Sequence, residues 1–260
     1  MDLGIKNKWA LVTGGSHGIG LASAISLARE GCNIICAARD FDKLKVAKEQ
    51  LSSFDCKCLI FSFDALSMSS IDKLYIDIQN EGICPDILIN NVGGGGRWGK
   101  EDILENNYDV WDEVLQKNYR CSLNLTLKVI PEMQKRRWGR IISVTSIYGL
   151  MGGGRPWFNI AKTAQTTLMK NLAMKTEFAS KNITFNSVAP SALFIEGTGW
   201  DDFKASKPEM YEEMIEMNHP QNRLGTAEEV ANVITFLCSQ QSSYINGSSI
   251  LLDGGQTGTF

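Results

Sequence analysis

The sequence predicts an α/β fold in a single domain over residues 1–260, with a doubly wound parallel sheet of about seven strands and helices on both faces. Three observations predict it. Short apolar runs alternate with longer segments of helical periodicity along the whole chain. A glycine-rich turn joins the first apolar run to the first helix. No domain boundary, internal repeat or low-complexity linker interrupts the 260 residues.

The composition argues against several classes of protein. A net charge of −3 gives no polybasic surface for nucleic acid, and no run of about 18 apolar residues offers a membrane span. The first residues lack a secretory segment, so we expect a cytoplasmic protein without membrane or nucleic-acid partners. Seven cysteines, an odd number, predict reduced thiols, and two histidines argue against a histidine-based metal site. We therefore expect no metal.

The first predicted strand, over residues 9–12, leads into a glycine turn and then a helix to about residue 30. Glycines permit a tight turn and the close approach of a pyrophosphate, and the helix N-terminus supplies free N–H groups and a positive dipole end. For His17, a place facing the solvent is an equal alternative. We predict that this turn binds a dinucleotide cofactor through Gly14, Ser16, His17, Gly18, Ile19 and Gly20.

The second predicted strand, over residues 33–38, sets the cofactor preference because its end meets the adenosine ribose. An acid there would accept the 2′-hydroxyl of NAD, but this position holds Ala38 and is followed by Arg39. A guanidinium can pair with a 2′-phosphate. The sequence therefore favours NADP(H), with NAD(H) as the alternative. Arg39 has a second interpretation, as a surface ion pair with Asp40 or Asp42.

A third group of residues surrounds the predicted strand over residues 141–144. The strand ends in hydroxyl residues, the second of which is Ser146, and a glycine-rich loop leads to a helix that begins near residue 157. Phe158 and Lys162 are four residues apart on that helix and share one face. Because ligands bind at the carboxyl ends of strands in open α/β sheets, a hydroxyl, a ring and an ammonium are predicted to converge on one bound molecule.

This segment and the turn Thr13-Gly14-x-x-x-Gly18-x-Gly20 resemble the short-chain dehydrogenase/reductase family, which has a Rossmann-type fold. The family pattern is a serine at a strand end followed by Tyr-x-x-x-Lys. Ser146 and Lys162 match it, but Phe158 stands at the tyrosine position. The resemblance implies an oxidoreductase that transfers a hydride between NADP(H) and a carbonyl/alcohol pair. In it the serine orients the substrate oxygen, the tyrosine transfers a proton, and the lysine holds the nicotinamide ribose and lowers the pKa of the tyrosine.

Further family motifs follow in order at the expected spacing. They lie after predicted strands over residues 59–63, 87–89 and 184–190, and a last strand begins at residue 249. The family has a threonine five residues beyond the proline, but here Ile195 follows Pro190 at that spacing. The backbone N–H of Ile195 is the remaining group that could bond the carboxamide of the cofactor. Asn118, in a helix predicted over residues 108–131, is implied to hold a water near the lysine. The resemblance implies catalytic positions at Asn118, Ser146, Phe158 and Lys162, and further cofactor contacts at Asp64, Ala65, Asn91, Gly93, Lys162, Pro190 and Ile195.

The substrate is less defined than the cofactor. Candidate contacts near the predicted site are Arg97, Trp98, Arg155, Trp157 and Trp200. The arginines favour an anionic or sugar-like substrate such as a nucleotide sugar, while an acyl thioester or a small ketone stays open. Arg97 has an alternative as a solvated loop residue, and Arg155 as a subunit contact. Residues 193–220 are predicted to form a substrate lid, with simple packing of their apolar residues as the alternative. The resemblance also implies a homo-oligomer, a tetramer or a dimer.

Phe158 divides the functional hypothesis in two. In the first, the chain is a reductase whose tyrosine has been replaced, so that it stops at the proton-transfer step. The presence of Asn118, Ser146 and Lys162 favours this hypothesis. In the second, phenylalanine is natural, and the chain is a cofactor-binding module, a regulatory or structural subunit, or an enzyme with another acid. Tyr148 is the nearest other acid, although it lies off the helix face of Lys162.

Overall fold

Strands and helices alternate along the chain, and the structure, a computed structural model, describes residues 1–96 and 98–259. The strands are β1 (Trp9–Thr13), β2 (Asn33–Ala38), β3 (Cys58–Ser62), β4 (Ile87–Asn90), β5 (Gly139–Val144), β6 (Ile183–Pro190) and β7 (Ser249–Leu252). The helices are α1 (Gly18–Arg29), α2 (Phe41–Leu51), α3 (Met68–Asn80), α4 (Tyr108–Leu115), α5 (Cys121–Arg136), α6 (Pro156–Ala173), α7 (Thr176–Ala179), α8 (Gly199–Ser206), α9 (Pro208–Asn218) and α10 (Ala227–Leu237).

All seven strands join one parallel sheet in the order β3-β2-β1-β4-β5-β6-β7. Helices cover both faces, which confirms the predicted doubly wound fold. The order of the strands reverses between β1 and β4. Such a switch point opens a crevice at the carboxyl ends of the strands, and open α/β sheets bind their ligands there.

The core has two halves because successive strand residues point to opposite faces of the sheet. Val12 and Ile142 belong to the apolar cluster under α1, α2 and α10. Their neighbours Leu11 and Ile141 belong to the cluster under α3, α5 and α6. Both faces are therefore buried, which explains why the central strands read as continuous apolar runs and not as an alternating pattern.

The helix predicted over residues 108–131 differs in two ways. A π-helical turn, Gln116–Arg120, separates α4 from α5, and α5 continues past Pro131 to Arg136. Proline lacks an N–H group and is unfavourable inside a helix, so the continuation past Pro131 needs compensation. The buried side chains of Ile130 and Met133 on either side of it pack in the core, and this tertiary contact outweighs the local preference.

The later helices also refine the predictions. The helix that carries Phe158 and Lys162 ends at Ala173, and α7 is a separate turn. The predicted lid, residues 193–220, contains α8 and α9, whose inner faces form a small apolar cluster around Tyr211 and Ile215. Thr226 is the N-cap of α10, and its hydroxyl accepts from the N–H of Glu229 at 3.2 Å. The Glu229 carboxylate accepts from the N–H of Thr226 at 2.9 Å, which completes a capping box.

Two further features concern the whole chain. All seven cysteines are free thiols, and four of them are buried. Across residues 1–96 and 98–259, every helix is too short or too polar to cross a membrane.

Candidate functional site

A cleft of about 460 Å³ opens at the carboxyl ends of β1, β2 and β4, at the switch point of the sheet. Eleven of the predicted cofactor-binding positions line it: Gly14, Ser16, His17, Gly18, Ile19, Arg39, Asp64, Ala65, Asn91, Gly93 and Ile195. Eight further positions complete the lining: Ala38, Asp40, Lys43, Phe63, Leu66, Val92, Trp98 and Lys117. The remaining three predicted positions, Gly20, Lys162 and Pro190, lie outside this lining.

Hydrogen bonds between Asn91 and Thr13 hold the glycine turn in place. Asn91 Nδ2 donates to the carbonyl oxygen of Thr13 at 2.9 Å, and Thr13 Oγ1 accepts from the N–H of Asn91 at 3.0 Å. A Cβ at Gly20 would lie 2.1 Å from the carbonyl oxygen of Gly14, so only glycine fits there. The side chain of His17, at the N-cap of α1, makes no capping hydrogen bond. The first N–H groups of α1 are therefore open toward the cleft, and Gly20 contributes through packing.

Arg39 is exposed at the far end of the cleft. Its acidic neighbours bond elsewhere. Asp40 Oδ1 accepts from the N–H of Lys43 at 3.0 Å and caps α2, and Asp42 pairs with Lys45 at 2.9 Å. In the described part of the chain neither acid forms an ion pair with Arg39, so the surface ion pair considered from the sequence is wrong. The guanidinium is thus available to an anion, and Lys43 lines the same end.

Lys117 and Trp98 close the cleft from the side of the π-helical turn. The Lys117 ammonium lies 4.6 Å from the centre of the Trp98 ring, a cation–π contact. Burial lowers the pKa of Lys117, and the positive charge of Arg39 lowers it further. We predicted Trp98 as a substrate contact, and it lines the same cleft as the predicted cofactor-binding positions. We did not predict Lys43 or Lys117 from the sequence; a basic residue directly before Asn118 was the available signal.

Ser146, Phe158 and Lys162 lie near the carboxyl end of β5, and Lys162 Nζ reaches the cleft at Gly93. Ser146 follows β5, is 9% exposed, and accepts from the N–H of Tyr148 at 3.3 Å. Lys162 is 4% exposed, and its Nζ lies 5.6 Å from the centre of the Phe158 ring. The Lys162 ammonium donates to the carbonyl oxygen of Val144 at 2.9 Å. A buried cation, a phenyl ring and a hydroxyl therefore share one region at the end of β5.

Burial controls the charge of Lys162. It lowers the pKa of the ammonium to about 7, and the nearby positive charge of Lys117 acts in the same direction. The group can therefore gain or lose its proton near neutral pH, which an exposed lysine cannot do.

Asn118 is fully buried in the π-helical turn. Its Nδ2 donates to the carbonyl oxygens of Gly94 and Val114, both at 2.8 Å, and its Oδ1 accepts from the N–H of Gly94 at 3.2 Å. A Cβ at Gly93 would lie 2.7 Å from Asn118 Oδ1 and 2.9 Å from Lys162 Nζ, so glycine lets the loop pass between them. The Asn118 side chain thus holds the segment of Gly93 and Gly94 beside Lys162.

The predicted substrate contacts lie in different environments. Trp157 is fully buried and donates from Nε1 to the carbonyl oxygen of Gly95 at 3.1 Å, so its prediction as a substrate contact is wrong. The start of α6 packs on α4, where Trp157 meets the Trp111 ring edge-on at 5.4 Å. Arg155 is half-buried, with its guanidinium 3.9 Å from Glu101. The prediction for Arg97 falls outside the described residues.

Four other candidate residues lie in or beside the predicted lid: Trp200, Ile195, Pro190 and Tyr148. Trp200 packs on Phe203 in the lid cluster, with ring centres 6.1 Å apart. The Tyr148 ring lies beside Gly153 and Gly154, in the loop before α6. Tyr148 also lines a separate cavity of about 340 Å³ together with Met217 and the C-terminal segment. Pro190 is buried at the end of β6, and Ile195 reaches the cleft beside Gly18.

Known proteins resemble this chain over nearly its whole length. Residues 14–257 match a family model described as "Enoyl-(Acyl carrier protein) reductase". The chain is 35% identical to the 3-oxoacyl-[acyl-carrier-protein] reductase FabG of Aquifex aeolicus, over 98% of this chain and 99% of that protein. It is 32% identical to dehydrogenase/reductase SDR family member 4 of Oryctolagus cuniculus, over 96% of this chain and 94% of that protein. A crystal structure of L-sorbose reductase from Gluconobacter frateurii, complexed with NADPH and L-sorbose, matches with a TM-score of 0.91, 30% identity and complete coverage of both chains.

Proposed function

The chain belongs to the short-chain dehydrogenase/reductase family, and from this we propose that it is an NADP-dependent oxidoreductase. It interconverts a carbonyl and an alcohol, in the reductive direction, and Phe158 disables its proton-transfer step. The observation that carries the proposal is a cleft with a basic end that adjoins the buried Lys162, with the partly buried Phe158 and the buried Ser146 near the same strand end.

The residues of the cleft fit a dinucleotide. Gly14 and Gly18 have φ angles of +66° and +57°, which side chains other than glycine rarely adopt, and they leave a cradle at the open N-terminus of α1. Asp64 Oδ1 accepts from the N–H of Leu66 at 3.0 Å, which fixes this carboxylate at the adenine end. When bound, NADPH would supply the hydride. We assign the pyrophosphate to the glycine turn and the nicotinamide ribose to Lys162.

A preference for NADP over NAD follows from the charges around the far end. The exposed guanidinium of Arg39, without an ion pair to its neighbours, and the ammonium of Lys43 suit a 2′-phosphate. The NADPH complex of the L-sorbose reductase neighbour supports this assignment.

We assign different roles in the reaction to the residues at the end of β5. We assign the Ser146 hydroxyl to orienting the substrate oxygen by hydrogen bonding. Reduction of a carbonyl leaves an oxygen that must gain a proton, and Phe158 has none to give. The Lys162 ammonium donates to the Val144 carbonyl and the Gln165 amide, 5.6 Å from the centre of the Phe158 ring, so we do not assign it the role of the missing phenol. Loss of a general acid lowers turnover by about 10²–10⁴-fold.

We place the substrate in the anionic or sugar-like class. Arg155 is the described guanidinium at the start of α6, and its 3.9 Å contact with the exposed Glu101 is too long and too solvated to neutralise it. The L-sorbose bound by the structural neighbour supports a sugar. The 3-oxoacyl thioester named for FabG is the competing class.

A second function has its own support. The Phe158 ring packs against the cluster of Val114, Trp157 and Ala161, and a Cβ at Gly96 would touch it at 3.5 Å. Phenylalanine is thus well accommodated, as expected for a naturally tyrosine-less homologue. Such a protein would bind the cofactor and serve a regulatory or structural role, with little or no turnover.

The substitution Phe158→Tyr distinguishes the two functions. We expect NADPH oxidation with sugars, 3-oxoacyl thioesters or small ketones to rise by about 10²–10⁴-fold, because the phenol restores the proton donor. Phe158→Leu is the matched control and should give no gain. A Phe158→Tyr variant that binds NADPH without any gain in rate supports the second function. If unmodified protein turns over and Tyr148→Phe abolishes this activity, Tyr148 is the proton donor.

We also propose a cytoplasmic homo-oligomer, a tetramer or a dimer. Leu127 on α5 and Ile160 on α6 are 52% and 49% exposed, which suits a covered apolar face. A mass measurement in solution tests this, and a monomer at working concentration would contradict it.

A further inference from the structure

A buried amide beside Lys162 has no part in the function proposed so far. Gln165 lies on α6 three residues after Lys162, so the two side chains share one face of the helix. Gln165 is fully buried, and its Oε1 accepts a hydrogen bond from Lys162 Nζ at 3.0 Å.

This contact helps to fix the direction of the ammonium. A lysine ammonium has three N–H donors. One bonds the Val144 carbonyl and a second bonds the Gln165 amide, so the third is directed by the other two. The Nζ lies against the floor of the cofactor cleft, where a Cβ at Gly93 would come within 2.9 Å of it.

The same amide is unfavourable for stability. In the described chain, the buried Nε2 of Gln165 has no hydrogen-bond partner. A buried, unpaired donor loses its hydration without compensation, and an unbranched apolar side chain of similar length would avoid that loss. A purely structural role at this position would therefore favour an apolar residue.

We propose that Gln165 is a positioning residue that holds the Lys162 ammonium charged and directed at the nicotinamide ribose of the bound cofactor. The proposal rests on the function given above, in which Lys162 contacts that ribose. Gln165 acts only through Lys162 and makes no contact with the reacting atoms.

The electrostatics of the region make such a partner useful. Burial and the charge of Lys117 both favour the neutral amine of Lys162, whereas a neutral acceptor favours its charged form. Elements packed against α6 carry many other titratable groups. They include Tyr119 and Arg120 on the π-helical turn, Asp109, Asp112 and Glu113 on α4, Cys121 and Lys128 on α5, Glu177 on α7, Tyr148 after Ser146 and Arg140 on β5. Of the charged groups, Lys117 is the one that acts on the pKa of Lys162. Loss of the Gln165 oxygen should lower that pKa further.

The experiment is an NADPH fluorescence titration of the whole protein between about pH 6 and pH 9, with Gln165→Met as the test variant. Methionine keeps the length of the side chain but lacks the acceptor. We expect the affinity to begin falling about one pH unit lower than in the unmodified protein, with about tenfold weaker binding near pH 7.5. The melting temperature should be unchanged or higher. Gln165→Glu should move the pH profile in the opposite direction.

Two controls separate positioning from structure. Thr184→Val removes a different buried polar group without a partner, the Thr184 hydroxyl on β6, and should leave the pH profile unchanged. In a Lys162→Met background, Gln165→Met should have no further effect on affinity, because the residue acts through Lys162. If Gln165→Met does not fold, Gln165→Glu and Gln165→Asn undergo the same titration, and the asparagine side chain is too short to reach Lys162.

The failures are distinguishable. Unmodified protein that binds no NADPH at any pH overturns the proposed function. If the unmodified protein binds NADPH, two results overturn the positioning role alone. One is a pH profile of Gln165→Met that is not shifted. The other is a loss of affinity on adding Gln165→Met to Lys162→Met that equals the loss caused by Gln165→Met in the unmodified protein.

Discussion

The two ends of the site are built in different ways. At the cofactor end, backbone geometry provides the binding surface: a glycine turn, an open helix N-terminus and an asparagine that bonds main-chain oxygens. At the reacting end, side chains provide it, and Ser146, Phe158 and Lys162 depend on single functional groups. A backbone surface fails when an added atom blocks it, whereas the proposed reacting end depends on single polar atoms, and the Phe158 ring carries none.

The ends also differ in their electrostatics. Arg39 is exposed, so water and salt screen its charge. Lys162 is 4% exposed, and burial lowers its pKa to about 7. We therefore expect the far end to respond to ionic strength and the reacting end to respond to pH. The four predictions below test this contrast, from the largest expected effect to the smallest.

The largest effect should come from Gly20→Val. The new Cβ would lie 2.1 Å from the Gly14 carbonyl oxygen, so the turn must move. Displaced N–H groups can no longer bond the pyrophosphate, and we expect NADPH affinity to fall by about 100-fold. Fluorescence titration measures it, with circular dichroism as the check on folding. The matched control is Gly152→Ala, since a Cβ at Gly152 meets nothing within 4 Å. Equal affinities for the two variants would show that the turn does not carry the cofactor.

Next, Arg39→Ala should weaken NADPH binding by about 10- to 30-fold and leave NADH binding unchanged, because only NADPH carries the 2′-phosphate. The difference should shrink as salt is added. Lys45→Ala removes a neighbouring exposed charge, paired with Asp42, and serves as the control. A parallel loss for both nucleotides would contradict the role of Arg39 in selecting NADP.

The third prediction concerns pH and Lys162. The ordinary pKa of 10.5 falls to about 7 in the folded protein, so between these values the unfolded chain binds more protons. The free energy of unfolding should therefore rise with pH, by up to about 1.4 kcal/mol per pH unit, while NADPH affinity falls as the ammonium loses its proton. Urea denaturation and NADPH titration at each pH measure the two trends.

Lys162→Met is the reference for this prediction, since it should remove the contribution of Lys162 to both trends. Stability and affinity that change in the same direction in the unmodified protein, or trends that survive in the variant, would contradict the assignment to Lys162.

The smallest effect should come from a position far from both ends. Thr226→Ala breaks the capping box of α10 and should lower the free energy of unfolding by about 1 kcal/mol, with NADPH affinity unchanged. Thr226→Ser keeps the hydroxyl and should be nearly neutral. A change in affinity with Thr226→Ala would mean that α10 is coupled to the cleft.

Much of this arrangement was readable from the sequence because it depends on local periodicity. Apolar runs predict the strands, the glycine spacing predicts the turn, and a separation of four residues puts Phe158 and Lys162 on one helix face. Parallel strands end at one edge of a sheet, so Ser146 had to lie at the same edge as the turn. The family resemblance added the expected roles and made Phe158 conspicuous.

Only the tertiary structure decided the surroundings of these residues. The packing of α6 on β5 buries Lys162, and the π-helical turn brings Lys117 close enough to act on its charge. The packing of α6 on α4 turns Trp157 into the core, against our prediction. Burial and charge proximity depend on segments far apart in the chain, and local periodicity carries no information about them. The sequence therefore determined which groups stand at the site, and the fold determined how strongly each is held and charged.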